Sequence, residues 1–152
     1  MGDLDRFKGE KIHTRNIEMN SWVVDHEHLL VEGRLVDIRY REFMSLSGVK
    51  TDGGELHHMA VRCLIKVPEL VIRDIETDLV TIPREDCRGI HDSLASLKGE
   101  RLAKGFSRKV REHLGGPRGC THLNHLIITM ASAAMQGFFA MNASKKDIVD
   151  RK

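Results

Sequence analysis

Aromatic side chains are scarce, 5% of 152 residues with one Trp and one Tyr. That argues against a stacking platform for single-stranded nucleic acid, and nucleic acid is not expected as a partner. Proline is also rare, at three residues, and no low-complexity tract or internal repeat breaks the chain, so one core across residues 1–152 is expected. The three cysteines, Cys63, Cys87 and Cys120, are an odd number with no C-x-x-C pair. A disulfide framework is therefore disfavoured, and reduced thiols or metal ligands remain. By composition no window reads as a membrane span, and the first residues lack the basic-then-apolar order of a secretory signal, so a cytoplasmic location is expected. Walker, G-x-S-x-G and H-E-x-x-H motifs are absent, which removes the commonest nucleotide, hydrolase and zinc-protease signatures.

What is present is charge in near balance, 24 Lys+Arg against 22 Asp+Glu, together with nine His. The balanced total hides an asymmetry between the two halves of the chain. Residues 1–76 hold 11 basic and 14 acidic side chains, and residues 77–152 hold 13 and 8. From Lys98 to Arg118 seven basic residues face two acidic ones, most simply the solvated side of an amphipathic helix.

Hydropathy patterning predicts a sheet followed by helices. From Lys11 to about Phe43, β-branched residues such as Ile17, Val31, Val36 and Ile38 recur without a helical stripe, which predicts two or three antiparallel strands. A loop is expected from Met44 to Glu55, where Gly48, Gly53 and Gly54 favour turns. Met59, Val61, Cys63, Ile65 and Val67 then alternate with Arg62 and Lys66, a half-buried strand with Cys63 on its apolar face. A hairpin at Pro68-Glu69 leads to a partner strand over Leu70–Glu76. Beyond Pro83, Ile90, Leu94 and Leu97 mark one helix, and Leu102, Phe106, Val110 and Leu114 mark a second. The last helix, from about Thr121 to Met141, is apolar nearly all round, so either the core or a partner chain must cover it. The charged tail after about residue 144 is expected to fray. The fold class is therefore α+β, an N-terminal antiparallel sheet with C-terminal helices packed on it.

Chemistry concentrates at element junctions. In Gly115–His125, GGPRGCTHLNH, a glycine-rich loop delivers Cys120 to a helix start, where unpaired N–H groups favour a thiolate, and His122 follows within one turn. His57-His58 stands just before the Met59 strand, and Cys87 just before a helix. His58, Cys87, Cys120 and His122 are ligand types that suit Zn²⁺, iron or an iron–sulfur cluster, provided the fold converges them. The alternative reading is that Gly119 supplies a cap conformation, Thr121 caps the helix and Cys120 is a small buried residue.

Leu30–Arg39 (LVEGRLVDIR), then His58-Met59, Cys87 and above all Gly119–Leu123 (GCTHL) after Gly115-Gly116, resemble the bacterial family DUF2889. That family has no established activity, and its G-C-T-H-L element is the part that most invites a metal or thiol role. More distantly, the order of elements is similar to that of U-type iron–sulfur cluster scaffolds. In both, a ligand precedes a strand hairpin, a second one precedes a serine-bearing helix, and a third site opens a long last helix. Here the last site reads C-x-H rather than adjacent His-Cys, and the scaffold's first Cys and nearby Asp are replaced by His58-Met59-Ala60. The expected function is metal-ion or iron–sulfur cluster binding or carriage. Two alternatives stand beside it. One is an enzyme using the Cys120 thiolate, with His122 or His58 as base, on an acyl or persulfide substrate. The other is a metal-free module that binds a protein partner or a second copy through its apolar last helix.

Overall fold

The structure, a computed structural model, describes residues 2–45, 48–82, 93–116 and 120–149, with side chains up to residue 143. Among the described residues the main elements are six strands and two α-helices: β1 (His13–Val23), β2 (His28–Arg39), β3 (Phe43–Met44), β4 (Lys50–Thr51), β5 (Gly54–Lys66), β6 (Val71–Thr81), α1 (Phe106–Leu114) and α2 (Thr121–Val149). The main sheet is an antiparallel meander in the order β1-β2-β5-β6. The small β3–β4 hairpin occupies the expected loop between β2 and β5. Asp25 sets the first hairpin turn, its Oδ1 accepting from the Glu27 backbone N–H at 2.7 Å, a local bond that favours a turn over continued strand.

The two faces of the sheet differ as period-2 alternation requires. Leu29, Val31 and Leu35 of β2, and Met59, Val61, Cys63 and Ile65 of β5, are buried against Leu123, Leu126, Ile127 and Met130 of α2. On the other face charges pair across strands. Arg62 Nε donates to Glu32 at 2.8 Å and its Nη1 to Glu76 at 3.2 Å, in register across β2, β5 and β6. The α+β expectation therefore holds, with α1 packed beside α2 and α2 laid over β1, β2 and β5.

Gly33 is the reason α2 can lie so close. A Cβ there would stand 3.0 Å from Met19 Sδ and 3.1 Å from both Leu126 Cγ and Met130 Cγ, tighter than side chains normally pack.

Two boundaries differ from the sequence expectation. Leu102 is buried but lies in a bend before the helix. Its N–H donates to the Leu70 carbonyl at 2.9 Å, and Arg101 bridges to Val71. The sheet edge claims this leucine, and α1 begins only after Gly105, whose φ of 92° suits a residue without a side chain. Of the preceding helix, the described residues 93–97 form a helical turn that buries Leu94 and Leu97; Ile90 and Cys87 lie outside the described residues. The last helix, expected to end at about Met141, runs to Val149. Within it Thr121–Ala143 does have the length and hydropathy of a membrane-crossing helix, contrary to the reading from composition. Its inner face is accounted for by the sheet it covers.

Two outcomes follow from this packing. Cys63 is 3% exposed and burial pushes its thiol up to about 12, so it should alkylate far more slowly in native than in unfolded protein, and Cys63→Ala should cost about 1–2 kcal/mol in chemical denaturation. Gly33→Val should lower stability by about 1–3 kcal/mol through overpacking under α2; an unchanged denaturation midpoint would show that the helix does not rest on this glycine.

Candidate functional site

At one end of the helix-covered face the apolar row of the sheet gives way to polar side chains. Register pairs Arg15 with Asp37 across β1 and β2, and Asp37 with His57 across β2 and β5. Residues directly opposite in a sheet share a face, so the three form a row. Asp37 continues the inward positions of Leu29, Val31 and Leu35, and His57 those of Met59, Val61 and Cys63. The first turn of α2 closes the row from above. The His122 ring lies over that of His57 with centroids 4.0 Å apart.

Asp37 is the hub. Its side chain is 1% exposed, and Arg15 grips it with two bonds, Nε to Oδ1 and Nη2 to Oδ2, both 2.7 Å. His57 Nδ1 lies 2.9 Å from Oδ2, His122 Nε2 3.9 Å from the same oxygen, and His13 Nε2 3.4 Å from Oδ1. The Arg15 hydrogen bonds hold the Asp37 carboxyl below the usual carboxylate range, against the opposing effect of burial. Burial moves both His57 and His122 downward, and the Asp37 charge only partly offsets it. Arg15 adds to the lowering at both rings. Both imidazoles are therefore biased towards the neutral form, which carries a free ring-nitrogen lone pair.

Asp37, His57 and His122 can each offer one donor atom, all within 4.8 Å of one another. They line an open cavity of about 480 Å³ with His13, Arg15, Arg39 and Leu56. A carboxylate has about four lone-pair positions. Arg15 takes one position on each oxygen and His57 the second on Oδ2, so the position that remains is on Oδ1, on the side of His13.

Of the residues expected from sequence to share a site, the structure brings His122 into this cluster and Cys120 beside it, with Sγ 3.6 Å from His122 Nδ1. That nitrogen is the one not facing Asp37, so the thiol orients the ring from behind. His58 does not join them. Alternation turns it to the opposite face of the sheet, where its Nε2 is 3.4 Å from Arg34 Nη1 and its Nδ1 is 3.3 Å from Glu55. Its neighbour His57 stands in its place. Cys87 lies outside the described residues. Cys63, expected in the core, is there.

The Arg15–Asp37 pair should be measurable as stability. Arg15→Ala leaves a buried carboxylate with fewer donors and should cost about 2–4 kcal/mol in chemical denaturation. Arg41→Ala, which removes an exposed pair with Glu10, should change little. Equal, small effects would show that Asp37 is not held as described.

The family model DUF2889, described as a protein of unknown function, matches residues 13–136, a span that contains every residue of this cluster. No curated protein and no solved structure matches the chain.

Proposed function

The chain belongs to the family DUF2889, and from the geometry of its site we propose that it binds one divalent transition-metal ion, Zn²⁺ or Fe²⁺, through Asp37, His57 and His122, as a metal-carrying or accessory protein. One observation carries the reading: three donor atoms of suitable type, drawn from β2, β5 and α2, lie within 4.8 Å of one another. Two imidazoles and a carboxylate match the preferences of these ions, and three protein ligands beside an open cavity leave a coordination position for water or a guest. Arg15 supports the donor set as an outer partner that fixes the carboxylate's orientation, and Cys120 does the same for His122. The donors favour a single ion over an iron–sulfur cluster. Clusters are held mainly by thiolates, and among the described cysteines Cys63 is sealed in the core while Cys120 contacts the far ring nitrogen of His122.

A second reading rests on the same atoms in another order. Cys120, His122 and Asp37 form a line from thiol to imidazole to carboxylate, with the 3.6 and 3.9 Å separations given above, the arrangement that activates a sulfur nucleophile.

Titration of metal-free protein with Zn²⁺ against a chromophoric chelator should give one site. His57→Ala and His122→Ala should each weaken it by about tenfold or more, and His58→Ala should leave it unchanged. Co²⁺ bound in place of Zn²⁺ should show ligand-field bands without strong thiolate-to-metal charge transfer. Full Zn²⁺ uptake by the His57→Ala/His122→Ala double variant would overturn the assignment. Fast alkylation of Cys120 that Zn²⁺ does not slow would favour the thiol reading.

A further inference from the structure

The cavity over the cluster contains more positive charge than the metal donors require. Arg15 and Arg39 line it against one carboxylate, that of Asp37. Arg15 is consumed by Asp37, but Arg39 has no carboxylate partner among the described residues. Its guanidinium lies over the Phe43 ring, 4.2 Å from the centroid, a contact that steadies the side chain while leaving its N–H edge available. Arg39 pairs in register with His13, and His13 with Arg15 brackets the same mouth from β1. The N-terminus of α2, a helix of 29 residues, opens at this point through His122, and the helix dipole adds a positive partial charge.

We infer that this cavity is a binding site for a small molecule carrying a carboxylate or phosphate group, with Arg39 as the residue that takes the anion beside the metal position. The volume of about 480 Å³ is in the range of small-molecule sites and far larger than one ion needs. A guanidinium fork matches the paired oxygens of either group, and Leu56 supplies apolar wall for the remainder of the guest. Placed there, an oxygen of the guest faces the coordination position that Asp37, His57 and His122 leave open. The inference rests on the metal reading for that last contact only. Recognition by Arg39 does not need the ion.

The test uses the full chain in metal-free and Zn²⁺-loaded forms, titrated separately with inorganic phosphate and with acetate, and followed by ¹H–¹⁵N NMR shifts of Arg39, Leu56 and His57. Saturable shifts confined to this end of the sheet are expected with at least one anion. The tighter of the two identifies the group, and binding should strengthen when Zn²⁺ is present. Arg39→Gln should weaken the anion by about tenfold while Zn²⁺ affinity stays within about twofold. Arg34→Gln, on the opposite face, should change neither. Anion binding that survives Arg39→Gln, or no saturable shift with either anion in either form, would overturn the inference. Anion binding lost in Arg39→Gln but indifferent to Zn²⁺ supports the subsite and counts against the metal reading, so the two fail separately.

Discussion

A carboxylate buried under a helix must be compensated, and the compensation of Asp37 organises one whole end of this molecule. An ionised group removed from water is costly unless it is paired and fully hydrogen-bonded. Here the partners come from both neighbouring strands, Arg15 of β1 and His57 of β5, and the first turn of α2 brings His122 to the same oxygen. The requirement to satisfy one side chain thus aligns three strands and seats a helix end. It also leaves two imidazoles biased towards neutrality next to a charged carboxylate, a combination whose chemistry suits a cation.

Much of the architecture was legible because burial imposes periodicity. The alternation of Met59, Val61, Cys63 and Ile65 located β5 and put Cys63 in the core, where it lies. The polar half of the site was harder to read for the same reason. Beginning the strand at Met59 made His57 and His58 look like an interchangeable pair at a loop junction. Extending the same alternation back by one inward position selects His57 and sends His58 to the far face. Asp37 likewise occupies an inward position of β2 after Leu35, but an acidic residue is conventionally read as facing water. Its burial depends on Arg15, and that pairing is a matter of register between strands, invisible until the hairpin is built. The G-C-T-H-L element brings His122 to the cluster and sets Cys120 behind its ring.

The unequal faces of the sheet explain two features that composition alone misrepresents. The charged side, with Arg62 shared between Glu32 and Glu76, needs no cover, which accounts for near-balanced charge in a chain with a substantial core. The other side needs all the cover it can get, and α2 supplies most of it. An apolar helix of membrane-like length is here the lid of a sheet. Gly33 gives it room to settle between the side chains of β1 and β2.

The cluster joins the first strand of the sheet to the last helix of the chain. Arg15 and His122 are separated by most of the sequence, so no fragment that lacks either terminal element can assemble the pocket. Closure of so long a loop carries a large entropic cost before any contact rewards it. Occupancy of the pocket by any guest would therefore draw its binding energy into the completed topology as a whole, stabilising the native chain against partly folded forms. A guest held there would act as a clasp between the first strand of the sheet and the long last helix.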